Sequence, residues 1–230
     1  MRYALPLAAL AVCLVGCDVS GRVEAEIEAA LPAALGPADA YDATVEGLRL
    51  RASEAERVSV TGRRVAREDA PVLDRLDVVL WGVAFDRASR RLTRVDSGRA
   101  RARLLPDDLA AYLVRQRGVA RAEVALEAPD RATVRVQGEV DGLRIPVGAE
   151  VSGRLRADGG RVRLDVARVA AAGIGLGAAL AERVGERINP VVDLTDEDLA
   201  LEVTAVRVEG GALVLEATGD PSGLSLRRRR

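Results

Sequence analysis

The chain has 230 residues, of which 49% are hydrophobic and 30% charged, a composition typical of globular proteins rather than disordered or collagen-like chains. Its 34 basic side chains are all arginine and are balanced by 35 acidic ones, and only 2% of residues are aromatic, so it lacks the basic surplus and stacking rings of nucleic-acid binders. Because the sequence contains no histidine, catalysis by Ser-His-Asp, Cys-His or His-Glu-x-x-His sites is excluded.

The N-terminus has the pattern of an export signal. Arg2 precedes an apolar run that ends at Val15, which is shorter than the ~20 residues of a membrane span. A Leu-Val-Gly-Cys quartet ending at Cys17 is similar to the bacterial lipobox, in which the cysteine is acylated and becomes the first mature residue. An ordinary signal peptide that happens to be cut beside a cysteine is the alternative.

This processing defines the first segments of the chain. We predict a lipoprotein signal peptide over residues 1–16, and a lipidated Cys17 followed by a short tether over 17–22. The only other cysteine, Cys13, leaves with the signal, so we expect no disulfide and no cysteine metal site. The protein is expected on the outer side of the cytoplasmic membrane, which is the periplasmic side in a Gram-negative organism.

Hydrophobic spacing predicts the elements that follow. Apolar residues three and four apart predict a helix over 23–35, Pro106 with acids behind it opens a second helix, and an apolar stretch predicts a third over about 176–188. Alternating patterns predict strands over residues 44–51, 57–66, 76–85, 92–104, 122–128, 132–140, 143–155, 161–169, 199–208 and 212–218. Since strands and helices do not alternate, a parallel α/β sheet is disfavoured.

The strand over 76–85 is apolar on both faces. Ideal alternation places one set of four apolar side chains together, namely Val79, Trp81, Val83 and Phe85. Two interpretations follow: a central strand covered on both sides by the protein itself, or one wall of an apolar cavity or groove.

Two other motifs are weaker. The glycines at 173, 175 and 177 resemble a dinucleotide-binding motif. The flanking strands, however, are not predicted to form the parallel βαβ unit that such a site needs. Close packing of a helix on the sheet explains the glycines better. The acids at 193 and 196–198 lack the spacing of a calcium loop. We therefore predict neither a metal site nor a cofactor.

The order of these features resembles the LmeA-like phospholipid-binding family of bacterial envelope proteins. The segments that carry the resemblance read VEGLRLR, LDVVLWGVAF, LLPDDLAAYL, VSGRLRADGGRVRLDVARV and EVTAVRVEGGALVLEATG. The resemblance implies a single domain over residues 23–226, followed by a basic tail over 227–230. It also implies an α+β fold in which an elongated, highly twisted antiparallel sheet packs against about three helices, similar to tubular lipid-binding domains.

On this resemblance we expect a non-enzymatic, membrane-anchored lipoprotein that binds or carries a phospholipid-like molecule in an apolar groove. Its expected partners are that lipid and the bacterial membrane. The residues expected to line the groove are Val79, Trp81, Val83, Phe85, Leu109, Leu113, Leu176 and Leu180. The alternatives are an envelope scaffold that binds proteins through its sheet edges and, less favoured, a carboxylate-dependent hydrolase.

Overall fold

The computed structural model describes residues 14–68, 70–86, 91–116, 119–140, 143–171, 174–175, 188–193 and 201–219. Within these residues, helix α1 spans Leu14–Leu35 and helix α2 spans Pro106–Val114. The strands are β1 (Ala40–Glu46), β2 (Glu54–Val65), β3 (Leu73–Asp86), β4 (Arg91–Arg94), β5 (Ser97–Leu104), β6 (Val119–Glu127), β7 (Arg131–Val140), β8 (Leu143–Asp158), β9 (Arg161–Ala171), β10 (Ile174–Gly175), β11 (Val192–Asp193), β12 (Leu201–Glu209) and β13 (Ala212–Gly219).

These strands form two antiparallel sheets. Sheet 1 has seven strands in the order β1-β2-β3-β5-β13-β12, with β4 paired to β3, and sheet 2 has six in the order β10-β9-β8-β7-β6, with β11 paired to β9. The chain builds β1 to β5, then sheet 2, and finally returns to sheet 1 with the β12–β13 hairpin. That return places Leu213 opposite Leu104 in register.

The expected α+β fold, with one sheet packed against about three helices, is wrong. The structure is mainly β: of its described residues 64% lie in strands, and they contain two helices and two sheets. The third predicted helix, over about 176–188, lies almost entirely outside the described residues. Most strands have one apolar and one charged face, and such strands can cover each other's apolar faces without a layer of helices.

The main core lies between the two sheets. It joins side chains of β5, β12 and β13 to side chains of β7, β8 and β9, together with Leu109 of α2. Leu104 and Leu213 of sheet 1 and Val162 of sheet 2 are fully buried there. Strands β5, β12 and β13 therefore have their inner face covered by sheet 2.

Helix α1 covers the remaining part of the inner face of sheet 1. Its Val23, Ile27 and Leu31 pack against a second buried cluster, which contains Ala43, Val45, Ala55, Val58, Val60, Val83 and Val95. The helix begins at Leu14 rather than at residue 23, so the segment predicted as a tether, 17–22, is helical in this structure.

Both edges of sheet 1 are hydrogen-bonded to other parts of the chain. On the β1 edge, the Glu28 and Glu24 carboxylates of α1 each accept a backbone N–H at 2.9 Å, from Ala43 and Val45 respectively. On the β12 edge, two backbone N–H groups donate to carbonyl groups in the turns of sheet 2, at 2.8 and 2.7 Å. Such bonds occupy the groups through which an edge strand pairs with another protein.

Strand β3 does not alternate along its whole length. Gly82 has a φ of +60°, in the left-handed region that favours glycine, and a Cβ at this position would collide with the Asp96 carboxylate. Leu80 and Val83 lie three residues apart, yet both belong to the cluster under α1. An interior glycine of this kind marks a bend where the faces of a strand exchange.

Candidate functional site

The residues predicted from the alternation of β3 do not share one face. Val83 is 2% exposed and lies in the cluster covered by α1. Trp81 is 36% exposed. Trp81 and Val79 both lie on the opposite, outer face of sheet 1, where Val79 is paired with Arg99 of β5. The strand therefore has a covered residue at Val83 and an open surface at Trp81, separated by the bend at Gly82.

The other predicted lining residues are also dispersed. Phe85 is half-buried near the end of β3, Leu109 is 6% exposed in the main core, and Leu113 is half-buried on α2. Leu176 and Leu180 lie outside the described residues. The predicted set is thus not assembled into one groove by the part of the chain that the structure describes.

Helix α2 is fixed to sheet 1 by a two-bond ion pair. Arg64 donates from both terminal nitrogens to the Asp108 carboxylate, at 2.6 and 2.7 Å. This hydrogen bonding raises the pKa of Arg64 above its ordinary value, so the guanidinium stays charged. The Asp108 side chain is only 11% exposed, and Arg64 has a φ of +54°, a strained conformation for a residue with a Cβ.

A continuous apolar surface exists elsewhere, on the inner face of sheet 2. Three successive rows of side chains cross β6, β7, β8 and β9 in register. They read Leu126-Ala132-Gly153-Val166, Val124-Val134-Val151-Val169 and Ala122-Val136-Ala149-Ala171. Every member is apolar or glycine, so this face is apolar across four strands.

Burial decreases from the middle row to the last row. Val151 and Val169 of the middle row are 4% and 2% exposed in the main core, whereas all four members of the last row are half-buried. We call the last row, with Val124 and Val134 beside it, the apolar end of sheet 2: Ala122, Val124, Val134, Val136, Ala149 and Ala171. Four strands about 4.8 Å apart give it a width of roughly 14 Å.

Strand length explains why the described strands of sheet 1 do not extend over this surface. β8 has 16 residues, whereas β5 and β13 of sheet 1 have 8 each. Sheet 1 packs over the part of β8 that contains Val151 and Leu155, and the part that contains Ala149 extends towards the other end. Sheet 2 therefore projects past the sheet that covers it.

The opposite face of the same strands is polar. There Arg135 donates to Glu150 at 2.8 Å, and a shallow depression of about 220 Å³ is lined by these two side chains, Gln137 and Arg168. Charged and apolar side chains alternate strictly along β7 and β8. The charged ones therefore lie on the outer face and the apolar ones on the inner face.

The described residues offer little for catalysis or metal binding. Among them there is no buried charged or polar residue and no group of three potential metal ligands. Most of the acidic cluster at 193–198 and of the glycine motif at 173–177 lies outside the described residues. In the same part of the chain, no helix is both long enough and apolar enough to cross a bilayer.

Sequence reasoning missed the apolar end of sheet 2. The signal was present in four successive segments with alternating apolar residues, although β9 shifts its register between Val166 and Val169. It becomes a site only when the register aligns Ala122, Val136 and Ala149. Register depends on pairing between strands, which no single segment specifies.

Within the described residues, fold and site together define a mainly β protein with a partly exposed apolar surface at one end of sheet 2. Residues 19–218 match the model of the LmeA-like phospholipid-binding family, and the chain belongs to this family. No curated protein and no solved structure gave a significant match. The sequence-level resemblance to this family is confirmed.

Proposed function

We propose that this protein is a non-enzymatic envelope lipoprotein that binds or carries a phospholipid-like molecule by its acyl chains. In this proposal the acyl chain lies on the apolar end of sheet 2, across Val136 and Ala149. The protein is anchored through Cys17 to the outer side of the cytoplasmic membrane. Membership of a phospholipid-binding family supports the ligand class.

The observation that carries the proposal is the half-buried last row of sheet 2. Ala122, Val136, Ala149 and Ala171 continue the core pattern beyond the point where sheet 1 covers it. Three of the four are alanines, whose short side chains leave space above the sheet. An acyl chain laid on this row would gain ~0.8 kcal/mol for each CH₂ that it removes from water.

A charge placed in this row tests the proposal. With Val136→Asp, an acyl chain would have to desolvate a carboxylate, so we expect the phospholipid that co-purifies with the protein to fall severalfold. Mass spectrometry of organic extracts, normalised to protein, measures it. Because Val136 is half-buried, the carboxylate keeps contact with water when no lipid is bound, and the fold should survive.

Gln137→Asp is the matched control, since Gln137 is the next residue of β7 and lies exposed on the outer face. It introduces the same group and should leave the lipid content unchanged. Equal lipid content in the wild type and in Val136→Asp, with both proteins folded, would refute this location.

The anchor is tested separately. Cys17→Ser removes the thiol that would carry the diacylglycerol, so the protein should lose lipid-dependent partitioning into detergent. Phase partitioning of processed protein measures this. If wild-type protein enters the aqueous phase as completely as the Cys17→Ser variant, the lipobox interpretation is wrong.

A further inference from the structure

One end of sheet 1 carries exposed apolar side chains on neighbouring turns and strands. Leu50 lies in the turn between β1 and β2, and Leu92 lies on β4; each is 38% exposed. Both lie next to Phe85 near the end of β3. The Phe85 N–H donates to the Ser53 carbonyl of that turn at 2.9 Å, and Phe85 is paired with Leu92. We call Leu50, Phe85 and Leu92 the apolar tip of sheet 1.

Helix α1 points its N-terminus towards this tip. Glu28 of the helix accepts the Ala43 N–H, and Glu24, one turn earlier, accepts the Val45 N–H, so α1 and β1 run in opposite directions. Residue Cys17 lies about 10 Å beyond Glu24 along the helix. The turn after β1 begins about 7 Å beyond Val45 in the same direction. Cys17 and the apolar tip therefore lie at the same end of sheet 1.

The opposite end of sheet 1 is marked by Val114. Val114 is the last residue of α2, and the next residue, Arg115, donates to the Ala70 carbonyl at 2.7 Å. Ala70 lies in the connection between β2 and β3, at the other end of these strands from Leu50. Val114 is 41% exposed, so it offers a comparable apolar side chain at the end away from Cys17.

The direction of α1 indicates what covers the apolar tip. A single exposed leucine needs no explanation, but here two of them flank Phe85 at the end where Cys17 lies. If Cys17 carries a diacylglycerol, the bilayer that holds it lies at this end too. A bilayer interface takes up apolar side chains to a depth of about 5–10 Å and needs no complementary pocket.

The ion pairs beside the tip join opposite charges. Arg49 pairs with Glu56 at 2.9 Å, and Arg94 pairs with Glu54 at 3.5 Å. We therefore expect apolar contact, rather than a net charge, to hold the tip on a bilayer.

We propose that the apolar tip of sheet 1 inserts into the interface of the same bilayer that holds Cys17. This inference rests on the proposed anchor and adds an orientation to it, because a lipidated cysteine alone does not fix which end of the protein touches the membrane. It does not involve the apolar end of sheet 2.

A single tryptophan at either end of sheet 1 tests this orientation. Trp81→Phe removes the only tryptophan of the chain, and Leu92→Trp or Val114→Trp then adds one at a site of similar exposure. Protein extracted from membranes is reconstituted in phosphatidylcholine vesicles with brominated acyl chains, which quench a tryptophan that they contact. We expect severalfold stronger quenching for Leu92→Trp than for Val114→Trp, and the same difference at high salt.

A charge in the tip tests whether its side chains insert together. In the Leu92→Trp protein, Leu50→Asp would have to carry a carboxylate out of water, so quenching should fall severalfold. Val114→Asp is the matched control, since it adds the same group at the opposite end, and it should leave the quenching unchanged. Both positions are exposed, and urea unfolding shows that each variant is folded.

Equal quenching of the two probes on vesicle-bound protein, or an unchanged signal with Leu50→Asp, would overturn the proposal. If a second copy of the chain covers the tip instead, Leu92→Trp emission shifts to the blue with rising protein concentration and without bromine quenching, which also overturns it.

Flotation of the vesicles separates this failure from failure of the proposed function. Protein that floats with the vesicles but leaves Leu92→Trp unquenched refutes the docking alone. Protein that does not float refutes the anchor at Cys17 and the docking with it. Co-purified phospholipid reports on sheet 2, so Leu50→Asp should retain its lipid and Val136→Asp should lose it.

Discussion

Val83 and Val79 provide a direct test of the bend in β3. Under ideal alternation both valines face the same way, but in the structure Val83 lies beneath α1 and Val79 lies on the outer face. Replacing each in turn with aspartate introduces the same group on the same strand, four residues apart. We expect Val83→Asp to destabilise the protein strongly and Val79→Asp to have little effect.

The difference follows from the surroundings. Val83 is 2% exposed among Val45, Val58 and Leu80, so its replacement loses the ~1.5–3 kcal/mol of a buried valine and adds the cost of a carboxylate with no partner. A total of about 4–5 kcal/mol is at the upper end for single substitutions. At Val79 the carboxylate would be half-exposed and opposite Arg99, so a change below about 1 kcal/mol is expected.

Urea unfolding followed by circular dichroism measures both. With a slope of ~2 kcal/mol per molar, Val83→Asp should lower the midpoint by about 2 M and Val79→Asp by less than about 0.5 M. Equal losses would show that both valines are covered by protein. A stable Val83→Asp variant would show that α1 does not cover this part of sheet 1.

Two further predictions concern ion pairs. Asp108→Asn removes the carboxylate that fixes α2 to Arg64 and should cost ~1–3 kcal/mol in urea unfolding, whereas Asp107→Asn, an exposed neighbour, should stay within about 0.5 kcal/mol. The hydrogen bond from Arg75 is the largest cause that holds the pKa of Asp77 below its ordinary value of 3.8. The resulting stability is present above pH 3.8 and is lost as the pH falls through the lower folded value, so melting of Asp77→Asn should respond less to acidification below pH 3.8 than melting of the wild type.

Local chemistry made some elements predictable. Pro106 is the first residue of α2, as its fixed φ and the two acids behind it indicated. The Asp158-Gly159-Gly160 run is typical of a hairpin turn, and it joins β8 to β9, with Gly159 at a φ of +60°. In both cases the deciding residues are adjacent in the sequence.

The division into two sheets was not predictable in this way. It depends on the pairing of Leu104 with Leu213, residues that are far apart in the chain, and no local pattern selects that partner. The edge of β9 depends on a similar long-range contact. Asn189 accepts the Leu164 N–H at 2.7 Å and donates to the Leu164 carbonyl at 3.0 Å, so a side chain extends the hydrogen-bonded ladder.

The four β3 side chains predicted to line the lipid site do not share one face, for a local reason that the sequence does contain. Gly82 interrupts an apolar strand, and an isolated glycine in such a strand indicates a bulge or bend. If the exchange of faces is placed at Gly82, Val83 joins Leu80 and moves away from Trp81, as the structure has it. The sequence could thus have predicted that the two faces of β3 exchange at Gly82. It could not have predicted which helix covers Val83.

The two faces of sheet 2 give the strongest reason to place a ligand at its apolar end. The face of an antiparallel sheet is commonly apolar where it packs on other groups and polar where it meets water. The outer face follows this rule with Arg135, Gln137 and Glu150, whereas the inner face keeps Val136 and Ala149 in the same rows. Because these residues share their backbone, strand propensity and length cannot explain the difference. An inner face shielded from water accounts for the difference, and in our proposal the bound acyl chain provides that shield.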